Sequence, residues 1–146
     1  MTPPEFLAAV RERWNIQQFA VDLAASENNV GAAFIITPEI DSLQADWTAF
    51  QRDLWLNPPF GNIAPWAEKC ALSTINSRFT RDRRIFFLVP AAVGSRWFER
   101  YVQPYAHVYF LRDRICFDGK YVYPKDCLLA VYGEHPGSEF WKWKSA

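Results

Sequence analysis

The chain reads as an α/β domain, an open and mostly parallel sheet that ends in an antiparallel edge or hairpin. Three observations lead there. Segments with strand and helix periodicity alternate up to about residue 103. Ile85-Phe86-Phe87-Leu88-Val89 is apolar without interruption, as in a strand covered on both faces. Beyond Pro104 short apolar runs follow one another with no helix between them, which suits antiparallel neighbours.

Thr2, Pro3 and Glu5 make a T-x-x-E capping box with proline at the first helical position, and Phe6, Ala9, Val10, Arg13 and Trp14 recur at helical spacing. A helix over about residues 3 to 14 is predicted. Phe19-Ala20-Val21 ends at Asp22 and a polar stretch, the pattern of a buried strand feeding a loop at its carboxyl end. Ala33-Phe34-Ile35-Ile36, leading to Thr37-Pro38 and Asp41, gives a second strand. Asp53 to Leu56 gives a third, and Pro65 opens a helix with Ala67, Cys70, Ala71, Thr74 and Ile75 on one face.

Arg78 to Arg84 is a basic connection into the Ile85–Val89 strand, which Pro90 ends. Ser95 caps a short helix carrying Trp97, Phe98, Tyr101 and Val102. Val108 to Leu111, Ile115-Cys116-Phe117 and Cys127 to Tyr132 read as strands, with a turn at Asp118-Gly119. Residues 1–134 form a single domain in this reading, and 135–146 a tail.

At 146 residues and 50% apolar composition, the chain is long enough to bury a core and too apolar for disorder. No apolar segment approaches the roughly 20 residues that cross a bilayer, and Met1-Thr2-Pro3-Pro4-Glu5 has no leader-like pattern. A cytoplasmic protein without membrane contact is the expectation. Cys70, Cys116 and Cys127 have neither C-x-x-C spacing nor a histidine pair nearby, so reduced thiols are expected, and no metal site. The formal net charge is zero, yet residues 1 to 70 hold 4 basic and 9 acidic side chains against 12 and 7 in the remainder. Such polarity permits a nucleic-acid partner without demanding one.

Asn57-Pro58-Pro59-Phe60, directly after Leu54-Trp55-Leu56, carries the strongest chemical signal. Transfer of a methyl from a sulfonium is an in-line displacement, so alignment matters more than a base. An exocyclic purine amine is a poor nucleophile because its lone pair is delocalised into the ring. Two acceptors, the Asn57 side-chain oxygen and the Pro58 carbonyl, can bind its hydrogens, aim the lone pair and suit the charge that develops on nitrogen. The two prolines stiffen the turn, and Phe60 can stack on a base, worth about 1–3 kcal/mol. The alternative is a rigid turn between strand and helix. Asp22 either caps the next turn or holds a cofactor; Asp41 either is a solvated loop carboxylate or accepts from adenosine or ribose groups. Arg78, Arg81, Arg83 and Arg84, like Arg96, Arg112 and Arg114, are either solvated or meet phosphates. Trp47, Trp55, Trp66 and Trp97 read as core or rim, and His107 and His135 have no partner that suggests general-base work.

Taken in order, these residues resemble the phage-type DNA N6-adenine methyltransferases of the Dam family, class I enzymes with a Rossmann-like sheet. The likeness runs through Thr2-Pro3-Pro4-Glu5-Phe6, Val21-Asp22-Leu23-Ala24-Ala25-Ser26, Thr37 to Leu43, Asp46-Trp47 and Leu56 to Gly61. It continues in Trp66, Leu88-Val89-Pro90-Ala91, Trp97-Phe98 and Phe110 to Phe117, so it covers about residues 2 to 132.

The resemblance implies S-adenosyl-L-methionine as cofactor and double-stranded DNA with a flipped adenine as partner. It implies Asn57, Pro58, Pro59 and Phe60 as the catalytic set, and Thr2, Pro3, Asp22, Ala24, Asp41 and Asn57 on the cofactor side. It also implies a bacterial host cytoplasm if the chain is phage or prophage encoded. Phe60 stands where the family commonly has tyrosine, which keeps stacking and loses a hydroxyl. Asp22-Leu23-Ala24-Ala25 lacks the glycine-rich turn of larger methyltransferases, as does the compact phage family. With no insertion long enough for a recognition domain, sequence reading would fall to short loops such as 61 to 65 and 112 to 126. Other acceptors (an RNA base or another planar amine) and an inactive nucleic-acid-binding accessory protein of the same fold remain as alternatives.

Overall fold

The computed structural model describes residues 2–25, 30–38, 41–50, 52–76 and 83–144. In chain order the elements are α1 (Pro4–Trp14), β1 (Val21–Asp22), β2 (Phe34–Ile35), two 3-10 turns (Ser42–Gln44 and Trp47–Ala49), β3 (Leu54–Leu56), α2 (Ala64–Asn76), β4 (Ile85–Pro90), α3 (Arg96–Tyr101), β5 (Ala106–Arg112), β6 (Cys127–Tyr132) and β7 (Gly137–Lys142). The strands form one seven-stranded sheet ordered β2-β1-β3-β4-β6-β5-β7. β2, β1, β3 and β4 pair in parallel, β6 is antiparallel to both β4 and β5, and β7 is parallel to β5. The mostly parallel sheet with an antiparallel C-terminal part is as the sequence predicts.

Alternating side chains explain why the central strands are apolar throughout. Leu54, Leu56, Ile85, Phe87, Val89, Leu128 and Ala130 face a core closed by Ala67 and Cys70 of α2 and by Phe98 and Val102 near α3. Trp55, Phe86, Leu88, Leu129 and Val131 face the opposite core, closed by Phe6, Leu7 and Val10 of α1. Both faces are therefore dry, and each large side chain so buried contributes about 1.5–3 kcal/mol. Cys70 and Cys127 are buried and Cys116 is half-buried. No described helix is long and apolar enough to cross a membrane.

Several local expectations give way to tertiary structure. The capping box does not form: the N-cap of α1 is Pro3, no side chain caps the helix, and the Thr2 hydroxyl is engaged elsewhere. The second predicted strand is present as β2, at the edge of the sheet with Phe34 54% exposed. Ile75 is likewise 54% exposed, leaving the buried stripe of α2 to Ala67, Cys70 and Ala71. Ile115-Cys116-Phe117 is not a strand, because the chain leaves β5 at Asp113 in a left-handed conformation (φ 82°) that breaks the extended run. The segment read as a tail contains β7, whose pairing with β5 runs from His107↔Gly137 to Arg112↔Lys142. Beyond it Trp143 is buried, meets Phe6 edge-on at 5.1 Å and donates to the Asp113 carbonyl at 2.8 Å. Ser95, as expected, caps α3 by accepting from the Phe98 amide.

β1 pairs with β2 on one side and β3 on the other, so the chain reverses its direction of travel across the sheet there. Ligands of open α/β sheets bind in the crevice beyond the strand carboxyl ends at such a reversal. Asp22, the last residue of β1, and Asn57, the first after β3, stand at these carboxyl ends.

Candidate active site

A cleft of about 770 Å³ opens at this position, within the range of small-molecule and cofactor sites. It brings together Thr2, Asp22, Ala24, Asp41, Asn57, Pro58, Pro59 and Phe60 from the sequence-predicted set. Pro3 is not on its wall; its carbonyl accepts from the Phe6 and Leu7 amides and starts α1.

Asp22 ends β1 and is 3% exposed. Its Oδ1 accepts from the Ala24 amide at 3.2 Å, while its backbone carbonyl accepts from Ile36. Burial pushes its carboxyl up to about 6, and the Ala24 N–H offsets this in part. A carboxylate so poorly solvated is suited to a cationic partner that holds it ionised. Asp41 caps the Ser42–Gln44 turn by accepting from the Leu43 amide at 3.2 Å. That turn is fixed from behind, since Trp47 Nε1 donates to the Ser42 carbonyl and Lys69 Nζ to the Leu43 carbonyl.

Asn57 follows β3 directly. Its Nδ2 donates to Thr2 Oγ1 at 3.0 Å, and its Oδ1 is buried with no protein partner among the described residues. A shielded, unpartnered carbonyl oxygen costs about 1–3 kcal/mol, a penalty removed when a ligand N–H arrives. Pro58 is buried and Pro59 exposed. The Phe60 ring lies 5.5 Å from both Phe117 and Tyr123, edge-on to the first, and these two rings are themselves 5.6 Å apart. Phe117 and Tyr123 line the cleft and were not singled out in the sequence. Their signal was weak, because one fell in an apparent strand and the other in a polar loop more than 50 residues from Phe60.

Of the tryptophans, Trp55 and Trp66 reach the cleft wall and Trp47 is fully buried. Arg83 and Arg84 do not belong to a phosphate-binding face at the cleft. They precede β4, at the opposite end of the parallel strands, where Arg83 bonds the Thr48 and Phe50 carbonyls and Arg84 bonds Asp53 through both carboxylate oxygens. Arg78 and Arg81 lie outside the described residues. Arg112, Arg114, Lys120 and Lys125 are exposed at the end of β5 and in the loop that carries the cleft-lining Phe117 and Tyr123, with Arg114 paired to Asp126 at 3.1 Å. His107 pairs with Glu139 at 3.0 Å at the start of β5, away from the cleft. Among the described residues no group of three or more His, Cys, Asp or Glu could hold a metal.

A family model described as DNA N-6-adenine-methyltransferase (Dam) matches residues 1–134. The chain belongs to the Dam family. Its sheet is accordingly a Rossmann-like class I methyltransferase sheet with β6 antiparallel. A Dam-family relative, the DNA N-6-adenine-methyltransferase of Haemophilus phage HP1 (strain HP1c1), is 31% identical over 101 residues, covering 68% of this chain and 55% of the phage protein. The match thus spans about half of that relative's length.

The donor expected of a Dam-family protein, S-adenosyl-L-methionine, fits the residues present. The cleft combines apolar walls from Leu23, Val30 and Ile36 with one buried carboxylate poised to meet a cation. Phe60, packed against Phe117 and Tyr123, adds an aromatic cluster to the cleft that also holds Asn57.

Proposed function

We propose that this protein transfers a methyl group from S-adenosyl-L-methionine to the N6 amine of adenine in double-stranded DNA. One observation carries the reading beyond family membership: the buried Asn57 Oδ1, without a partner among the described residues, belongs to the same cleft as Asp22, one strand away. The donor supplies an electrophilic methyl; everything else is positioning by this chain's own groups.

Asp22, Ala24 and Asp41 line the donor side of the cleft, with Asp22 ionised by the donor's positive charge. Thr2 and Asn57 stand between the donor and acceptor sides. Asn57 Oδ1 and the Pro58 carbonyl accept from the two amine hydrogens, which turns the nitrogen lone pair toward the methyl and stabilises the charge that develops on nitrogen. The diproline keeps these oxygens from drifting. Phe60 stacks on the base, backed by Phe117 edge-on and by Tyr123 at a tilt.

Inside a duplex the amine is out of reach of such a cleft, so the adenine is flipped out of its stack. Arg112, Arg114, Lys120 and Lys125 are placed to meet the flanking phosphates. The same loop, with residues 61–65, is the place for sequence reading. Kinship with a phage enzyme supports action in a bacterial host's cytoplasm.

Methyl transfer from radiolabelled donor to defined DNA and RNA duplexes, with and without adenine, tests the reading. Label on N6-methyladenine in DNA is the expected result. Label only on RNA would move the acceptor, and no label with intact donor binding would point to an inactive binding protein.

A further inference from the structure

We propose that Thr2 is a positioning residue that decides which end of the Asn57 amide faces the reacting amine; the inference rests on the methyl-transfer reading above. Thr2 is 3% exposed and sits where a helix N-cap is expected, yet it caps nothing. Its hydroxyl instead reaches Asn57, 55 positions along the chain, and accepts from Nδ2 at 3.0 Å.

The two ends of a carboxamide have nearly the same shape and opposite chemistry. If the nitrogen faced the adenine amine, donor would meet donor and nothing would aim the lone pair. With Nδ2 held by Thr2, the oxygen is left open; with the amide reversed, Thr2 would satisfy the oxygen and the NH2 group would face the incoming amine, donor against donor. The first arrangement is the one that complements an incoming NH2. The oxygen, which has no partner among the described residues, is the group that the substrate completes. Glu5, the other polar member of the capping pattern, is exposed and plays no part in this contact. Thr2 thus acts on catalysis through Asn57, without touching the reacting atoms.

The test compares wild type, Thr2→Val, Thr2→Ser and Asn57→Ala in single-turnover methylation of an adenine-containing duplex. Donor affinity is measured by calorimetry and DNA affinity by fluorescence anisotropy. Thr2→Val keeps the side chain's shape and removes the acceptor, so the methylation rate should fall by about 10- to 100-fold. Donor and DNA affinities should change less than about threefold. Thr2→Ser should restore the rate to within about threefold of wild type. A second readout needs no activity: the Asn57 side-chain NH2 resonances should be slow to exchange with solvent in wild type and Thr2→Ser, and fast in Thr2→Val. Full activity in Thr2→Val, or loss of donor affinity with unchanged rate, overturns the assignment. Failure of wild type to methylate any duplex would instead sink the methyl-transfer reading, and this inference with it.

Discussion

Asp22 stands in register with Trp55, so Asn57 leaves the sheet two residues beyond the level at which the carboxylate leaves the neighbouring strand. Strands so paired lie about 4.8 Å apart. Donor-side and acceptor-side groups are thereby fixed by backbone pairing between β1 and β3, and the chemistry inherits the rigidity of the sheet.

Removing the acceptor should separate binding from turnover. Asn57→Ala is expected to lower the methylation rate by at least about 100-fold, in line with loss of a preorganised transition-state contact. Donor affinity measured calorimetrically should hold within about threefold. Retained turnover would show that Asn57 does not orient the amine.

The elevated Asp22 carboxyl makes both stability and donor binding depend on pH. Folding raises it from 3.8 to about 6, so the folded protein takes up a proton in that window. The contribution of Asp22 to stability without donor should be greatest below the lower value, fall as pH rises toward 6 and then level off, a change of roughly 3 kcal/mol that is read as the difference between wild type and Asp22→Asn. Donor affinity should move the opposite way, strengthening as pH climbs through about 6 and the carboxylate ionises. Melting scans and calorimetry from pH 4 to 8 check both slopes. Asp22→Asn should flatten them, raise the melting temperature at pH 7 and weaken donor binding.

The ring at position 60 acts by its face. Phe60→Tyr should keep kcat/KM within a few-fold, whereas Phe60→Ala should lose about 1–3 kcal/mol of base stacking, a drop of roughly 5- to 150-fold. Phe117→Ala should fall in the same direction with a smaller loss. Equal activity in Phe60→Ala would remove stacking from the account.

Two sets of arginines should behave differently. Arg112→Glu with Arg114→Glu is expected to weaken DNA binding and flatten its salt dependence, as read by anisotropy titrations between low and moderate salt. Arg84→Met should leave the salt slope alone and lower the melting temperature, because it strands the 8% exposed Asp53 at a cost of about 1.5–3 kcal/mol.

At the other face, Glu134 accepts from Trp14 Nε1 at 2.8 Å and from the Tyr109 hydroxyl at 2.7 Å. Glu134→Ala leaves two part-buried donors without an acceptor and should destabilise the fold by about 1–3 kcal/mol. Donor affinity, measured at a temperature where the variant is folded, should be unchanged. Denaturant melts check the first statement and calorimetry the second.

What was legible in the sequence was mostly local. Continuous apolarity from Ile85 to Val89 announced a strand covered on both faces, Ser95 announced a cap, and Asn57 to Phe60 announced a turn directly after a strand. What was hidden depended on partners far along the chain. Thr2 satisfied a local capping pattern but is held by Asn57 instead. Gly137 to Lys142 has the composition of a tail and is a strand because β5 offers it a ladder. Phe117 joins Phe60 only because the backbone turns at Asp113. In each case a non-local contact overrode a nearby signal, which is where reading by spacing fails.

The hydrogen bond from Trp14 to Glu134 spans 120 positions. Other rings reach the same helix from mid-chain, since Phe6 also meets Trp55 and Trp14 also meets Phe86. Loosening β7 would therefore uncover one flank of α1 while the central strands still hold the other.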